Sequence, residues 1–375
     1  MKLGVVATSY PRFPGDPAGN FVAAHVAALR ALGHVVDVIA AGDPGTARGS
    51  ADGIDRIARI ASPLFYRGGA PDALERTPLR SGLAAATFAV RMTAAVTARA
   101  RGWDAIVAHW LAPSALAALP SDRPLTAIAH GGDVFTLRRL RLLGPVLAAL
   151  ARRRARLAFV SAELRDVARR AAPGLAGWLA DALVQPMGID LARFAAVPRA
   201  PSDPPVVLCA ARLVPIKGVD VALAAMHHVR AAARLVIAGD GPERPRLAAA
   251  PAASAARLPT FLGEVTTERR DQLLGAASLV VVPSRIAAGG RTEGTPAIAL
   301  EALAAGVPVV ASAVGGLRSL GALPGVDLVP PEDPRALAAA IERGLARSHA
   351  VAPAAMRAAV AHLDWRDVAP RLLHG

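Results

Sequence analysis

Short apolar runs recur along the chain, each followed by a longer stretch in which apolar residues return at helical spacing. In the first half the runs are LGVVAT at 3–8, VVDVIA at 35–40, AIVAH at 105–109, LTAIAH at 125–130 and LAFVS at 157–161. A proline-rich joint, VPRAPSDPP at 197–205, interrupts the pattern. It restarts with VVLCAA at 206–211, RLVIAG at 234–239, PTFLG at 259–263, SLVVVPS at 278–284 and VPVVAS at 307–312. Runs that are apolar almost throughout read as strands buried on both faces, with the intervening helices as their cover. The pattern predicts two doubly wound α/β domains in succession, with the joint as hinge.

Composition supports the division, because 375 residues exceed the roughly 250–300 beyond which a single core stops growing. An apolar fraction of 53% excludes a disordered chain. The lack of an uncharged apolar run of about 18 residues argues against a spanning helix. The start MKLGVVATSY runs straight into a strand without the features of a secretory signal, so a cytoplasmic location is expected. Cys209 is the sole cysteine, which rules out a disulfide within the chain and a thiol-rich metal site, and inside VVLCAA it reads as core.

Charge adds a second layer. The net charge is +14, and the excess lies in the first half: residues 1–195 hold 24 basic and 14 acidic side chains, residues 196–375 hold 19 and 15. No acid occurs between Asp133 and Glu163, whereas Arg138, Arg139, Arg141, Arg152, Arg153, Arg154 and Arg156 all do. In the same segment Leu140, Leu143, Leu147 and Leu150 fall at helical spacing. An apolar stripe with basic flanks can lie on an anionic membrane face, and equally can pack on its own sheet with the arginines in water. Only Lys2 and Lys217 are lysines; where arginine fills nearly every basic position, Lys217 marks a site that wants a compact ammonium. Nucleic-acid binding, which so basic a chain invites, is a distant alternative: only 4% of residues are aromatic and no base-stacking motif appears. No nucleic-acid partner is expected.

Ligands of doubly wound sheets bind outside the carboxyl ends of the strands, so the residues just after each strand carry the chemistry. The loop after the first strand, SYPRFPGDPAGN, lacks G-x-G-x-x-G, which disfavours a nicotinamide dehydrogenase. Asp-x-Asp is absent as well, so no carboxylate pair stands ready to hold a divalent metal on a diphosphate. The most informative segment is EGTPAIALEALAAGVPVVAS, with Thr295 expected as N-cap, Pro296 as first helical residue and Gly306 as the stop. The helix's unpaired N-terminal amides and dipole would accept a phosphate. Glu293 precedes it, and Glu301, eight positions on in an otherwise apolar helix, needs a partner such as a ribose diol. Read singly, Glu301 fits an ion pair with an arginine equally well, and Glu293 a carboxylate at a helix N-terminus. Arg212 and Lys217 follow the strand VVLCAA, where two cations would bind a pyrophosphate and stabilise it as a leaving group.

At this point an ordered set of segments resembles glycosyltransferases of family GT4 over nearly the full length. The blocks are the first loop and helix ending in LRALGHVVDV, HGGDVF (130–135), VQPMGIDLARF (184–194), ARLVPIKGVD (211–220), VIAGDGPER (236–244), FLGEV (261–265) and TEGTPAIALEALAAGVPVVASAVGG (292–316). The resemblance implies an α/β GT-B fold, two doubly wound Rossmann-like domains facing each other across a cleft. An acceptor-side domain would span 1–196, rejoined by a C-terminal helix at about 360–375, and a nucleotide-sugar donor domain would span 206–359. It also implies transfer of a sugar from a nucleotide diphosphate sugar with retention of anomeric configuration, without metal or other cofactor. By motif match Arg212, Lys217, Gly19, Gly294 and Thr295 would serve the donor diphosphate, Glu293 the sugar hydroxyls and Glu301 the ribose. His130 would be the catalytic histidine, with His109 and Asp133 on the acceptor side. The expected acceptor is a lipid-linked or cell-envelope glycan at the inner face of a membrane. A glycosyltransferase for soluble small molecules and a nucleotide-sugar epimerase of the same fold remain as alternatives.

Overall fold

The structure is a computed structural model and describes residues 1–43, 56–65, 77–250, 258–346 and 351–374. The chain divides into two compact units, Met1–Gly188 with Trp365–Gly375, and Ile189–Asp364.

The first unit is built on seven strands, β1 (Lys2–Ala7), β2 (Val35–Gly42), β3 (Ile57–Ala61), β4 (Ala105–His109), β5 (Leu125–Ala129), β6 (Arg156–Phe159) and β7 (Leu183–Val184). All pair in parallel, in the order β3-β2-β1-β4-β5-β6-β7. Helices α1 (Asn20–Ala31), α2 (Pro78–Ala100), α3 (Gly132–Arg139) and α4 (Leu143–Arg152) are among its covering layers. The chain builds outward from β1 to β3, then restarts at β4 on the other side. Between β1 and β4 the crossovers therefore diverge and leave a crevice at the strands' carboxyl ends. Gly19, His109 and His130 all lie on segments that leave those ends.

The second unit repeats the plan with β8 (Val206–Ala210), β9 (Arg234–Ala238), β10 (Thr260–Gly263), β11 (Ala277–Val282), β12 (Val309–Ser312) and β13 (Val326–Val329), all parallel, in the order β10-β9-β8-β11-β12-β13. Helices α5 (Val219–Met226), α6 (Thr267–Ala276) and α7 (Ala297–Ala304) belong to it, and α8 (Trp365–His374) returns to the first unit. The two-residue period of a strand sends Val207 and Cys209 to one core and Leu208 and Val206 to the other. That is why the strands read as continuous apolar runs. Burial pushes the Cys209 thiol up to about 12, in keeping with a packing role.

Several expectations need correction. The first unit ends at Gly188 rather than 196, because Ile189, Phe194 and Val197 bury in the second core and Arg193 pairs with Asp271 at 2.7 Å. The returning helix begins at Trp365, since Met356, Val360 and Leu363 still belong to the second core, whereas Trp365, Val368, Ala369 and Leu372 fill the first. The apolar stripe points inward, against its membrane reading: Leu143, Leu147 and Leu150 are at most 1% exposed. Arg153 is turned back as well, donating to the carbonyls of Ser121 and Arg123 at 2.7 Å. A helix resting on a sheet needs the same 3.6-residue periodicity as one resting on lipid. Leu140 and Leu142 do stay half-exposed beside Arg139 and Arg141 in the turn between α3 and α4. Among the described residues one helix segment, Leu79–Ala100 of α2, is long and apolar enough to cross a membrane by length and composition. Its Phe88, Met92 and Val96 pack into the first core, while Leu79, Leu83 and Val90, spaced along one face, are exposed.

Candidate functional site

In the second unit the chain leaving β8 reaches Arg212, exposed, and then a short turn Pro215–Lys217 that Gly218 ends in the left-handed region (φ 61°). A Cβ on Gly218 would lie 2.0 Å from the Pro283 carbonyl oxygen, so only glycine lets this turn press against the segment leaving β11. The Arg285 amide donates to the Ile216 carbonyl at 3.0 Å, and the Arg285 guanidinium holds Asp220 at 2.7 Å. The turn is thus fixed from both sides of the switch point between β8 and β11. Lys217 then meets Glu293 across it, Nζ to Oε2 at 2.8 Å, both side chains largely buried.

Glu293, Gly294 and Thr295 sit on a loop clasped by two glycines that follow β12. Gly315 is left-handed (φ 53°), and Cβ atoms at Gly315 and Gly316 would lie 2.1 Å from the Glu293 oxygen and 2.5 Å from the Gly294 oxygen. The Gly316 amide donates to the Glu293 carbonyl at 3.2 Å. Helix α7 opens one residue later than expected: Pro296 is extended (ψ 124°) and is itself the N-cap, with Ala297 the first helical residue. Proline fixes φ without forcing a helical ψ, so Thr295 lies outside the helix. Gly306 does end it with a positive φ of 74°. In the first turn the Ala299 amide donates to the Pro296 carbonyl at 3.1 Å, and the amides ahead of it have no carbonyl within the helix to accept them.

Glu301 is buried on α7 and pairs with Arg270 of α6 at 3.2 Å, while its Oε2 is sealed with no partner. Burial pushes its carboxyl above the ordinary range, against the opposing pull of Arg270. The ion pair that Glu301 was expected to make with an arginine is present, with Arg270.

In the first unit, Gly19 (φ 73°) closes the loop after β1, where a Cβ would lie 2.5 Å from the Ser9 oxygen. The loop is clasped by Asp16, which accepts from the Arg12 side chain at 2.6 Å and from the Arg12 and Ala18 amides at 2.9 and 3.1 Å. Burial would raise the Asp16 carboxyl, but these hydrogen bonds hold it below its usual value. His130, part-exposed at the end of β5, lies among Phe21 and Trp110 at ring distances of 5.0 and 4.9 Å.

His109 and Asp133 do not line an acceptor surface. His109 is fully buried, bonded through Nδ1 to His130 Nε2 at 3.0 Å and through Nε2 to His25 Nδ1 at 3.1 Å. Asp133 spends both oxygens on backbone amides, those of His130 and Gly131 at 3.1 and 3.0 Å and that of Leu111 at 2.7 Å. It ties the turn after β4 to the turn after β5. Desolvation raises its carboxyl, and the amide bonds oppose that. His25 escapes the sequence reading: a lone histidine on the buried face of α1, 84 residues from its partner, carries no local signal.

The pattern of the family Glycosyl transferases group 1 matches residues 204–347, and that of Glycosyltransferase Family 4 matches residues 18–193. Over 396 aligned positions the chain is 30% identical to a glycogen synthase of Mycobacterium tuberculosis, covering 98% of this chain and 92% of that one. It is 36% identical over 148 residues to the GDP-mannose-dependent monoacylated alpha-(1-6)-phosphatidylinositol monomannoside mannosyltransferase of Corynebacterium glutamicum. That match spans 35% of this chain and only 38% of the relative. Among solved structures, Anabaena HepE in complex with UDP-glucose superposes with a TM-score of 0.70 at 18% identity, covering 100% of this chain and 98% of HepE. A likeness at that identity speaks for the fold.

Proposed function

Because the chain belongs to the GT4 glycosyltransferases, or glycosyl transferases group 1, we propose that it transfers a sugar from a nucleoside diphosphate sugar to an acceptor hydroxyl with retention and without a metal ion. The observation that carries this reading is that the chain leaving β8, which bears Arg212 and Lys217, meets the Glu293 loop ahead of α7. The Lys217–Glu293 contact of 2.8 Å ties the two sides together. HepE, with its UDP-glucose, is a neighbour in fold whose donor chemistry matches what this set would hold.

In the reaction the bond between the anomeric carbon and the diphosphate oxygen breaks, and its electron pair leaves with the nucleoside diphosphate. Positive charge develops on the ring. Lys217, held by Glu293, and the α7 amides are in place before the reaction, so they stabilise the departing anion with little reorganisation at that moment, and Arg212 adds a second cation. Glu293, held by Lys217, orients sugar hydroxyls. Glu301 is carried over from the family as the contact of the ribose hydroxyls. His130 is carried over from the family as a contact of the transferred sugar. No carboxylate here is assigned as a nucleophile. The acceptor oxygen attacks on the face the diphosphate leaves, and its proton passes to the diphosphate oxygen.

The test is acceptor-dependent release of nucleoside diphosphate across a panel of nucleotide sugars, with and without chelator, followed by NMR assignment of the product's anomeric configuration. Inverted product or loss of activity in chelator would overturn the corresponding part. Conversion of donor without any acceptor would favour the epimerase.

A lipid-linked acceptor is a second reading, carried by the part of the expected surface that stays exposed and by one face of α2. Leu140 and Leu142 beside Arg139 and Arg141, and Leu79, Leu83 and Val90 on α2, are exposed. Apolar side chains with arginines at the same turn suit an anionic interface. Co-sedimentation with anionic vesicles at low salt should retain the wild type and release Leu140→Glu/Leu142→Glu. Equal behaviour of both, or no binding at all, leaves a soluble acceptor.

A further inference from the structure

We infer that His25 and His109 are positioning residues that set the tautomer of His130, presenting it to ligands as an Nδ1–H hydrogen-bond donor. The inference rests on the order of three rings and on one orphaned atom. His25 Nδ1 meets His109 Nε2 at 3.1 Å, and His109 Nδ1 meets His130 Nε2 at 3.0 Å. His25 Nε2, at the inner end, is buried with no hydrogen-bond partner, and the ring lies flat on Trp365 at 5.0 Å and 11°. His130 Nδ1, at the outer end, is the one remaining nitrogen of the chain, neither bonded to a neighbouring ring nor sealed without a partner.

Three neutral imidazoles carry three ring protons, and two of them occupy the links. The third must sit at one end. If the links point inward, from His130 toward His25, the third proton lies on His25 Nε2 as a buried N–H with no acceptor. If they point outward, His25 donates to His109 and His109 donates to His130. The third proton then lies on His130 Nδ1, and the core keeps only an unused lone pair. An orphaned buried N–H is the costlier of the two, so the links point outward. The rings are neutral because removal from water pushes His25 down to about 3 and His109 well below its usual value, and lowers His130 on the side that meets them. Asp133, three residues after His130, commits both carboxylate oxygens to backbone amides.

A histidine locked in this form donates through Nδ1–H and has no free basic nitrogen. On the reading proposed above, it binds an oxygen of the sugar and does not act as a general base. That role depends on the proposed function, whereas the tautomer does not, and the experiment measures the tautomer alone. The full-length protein is labelled with 15N at the histidine rings, and long-range proton–nitrogen correlation spectra are recorded at pH 7. His130 is assigned by the signal missing from His130→Asn. The expected signature is neutral His130 with more than about nine-tenths of the proton on Nδ1, against the preference of free histidine for Nε2. A proton on Nε2, an even mixture or a charged ring overturns the inference. In His109→Leu, which removes the donor to Nε2, an Nε2–H population should appear; an unchanged Nδ1–H form would show that His109 does not set it. Should that variant fail to fold, the wild-type spectrum decides by itself. Activity plays no part, so failure of the proposed reaction and failure of the tautomer are told apart.

Discussion

Glu293 and Lys217 form a largely buried ion pair, and burying one without the other is costly. Glu293→Gln keeps the shape and removes the charge. Measured as acceptor-dependent nucleotide release below the variant's unfolding transition, turnover is expected to fall by about 10²–10³-fold, and the unfolding temperature is expected to drop because Lys217 is left without its partner. Near-normal turnover would remove Glu293 from the mechanism. The buried histidines predict an acid-sensitive first unit. The His25 value is lowered by desolvation to about 3, so between there and the unfolded value near 6.5 the unfolded chain binds more protons. Stability is complete above about pH 6.5 and is lost as pH falls toward 3, at up to about 1.4 kcal/mol per pH unit for this group. Denaturant melts at pH 7 and pH 5 should show it, with a shallower dependence in His25→Phe; parallel slopes would contradict the burial. The residues with motif context, Lys217 and Glu293 among them, were legible in the sequence because backbone punctuation framed them. His25 was not, since its meaning comes from rings that arrive from β4 and β5.

At the scale of elements, glycines decide how closely loops approach. Gly315→Ala would place a Cβ 2.1 Å from the Glu293 oxygen in a left-handed conformation, costing on the order of 1–3 kcal/mol. It should also displace the Glu293 loop, so donor affinity should drop along with melting temperature. Wild-type affinity in this variant would mean that the loop is not set by that contact. All ten strands expected from apolar runs occur, because strands covered on both faces have no polar side to show. The three missed are β3, β7 and β13, which lie at or near sheet edges and are short or carry polar residues, as in IARIA and VDLV. The inward stripe of α4 marks the converse limit: periodicity gives the face and not what the face meets.

For the molecule as a whole, the chain crosses between units twice, after Gly188 and before Trp365. The last crossing returns α8, whose Val368, Ala369 and Leu372 are fully buried in the first core. Arg156 donates to the Leu373 carbonyl at 2.8 Å, and Arg371 to Gln185 at 3.0 Å. A chain ending at Asp364 should therefore lose the calorimetric transition of the first unit and keep that of the second. Two intact transitions would make α8 dispensable. Sequence placed this helix within a few residues by its likeness to the family, but its start at Trp365 depends on which core each side chain enters.

The site in the second unit stands or falls on anion binding by fixed cations. Isothermal titration of the full-length protein with a panel of nucleoside diphosphates measures this without an acceptor. At least one should bind saturably, and Lys217→Ala should weaken it by about ten- to a hundredfold, the loss of one charge-assisted hydrogen bond. Absence of binding across the panel, or equal affinity in Lys217→Ala, would contradict the assignment.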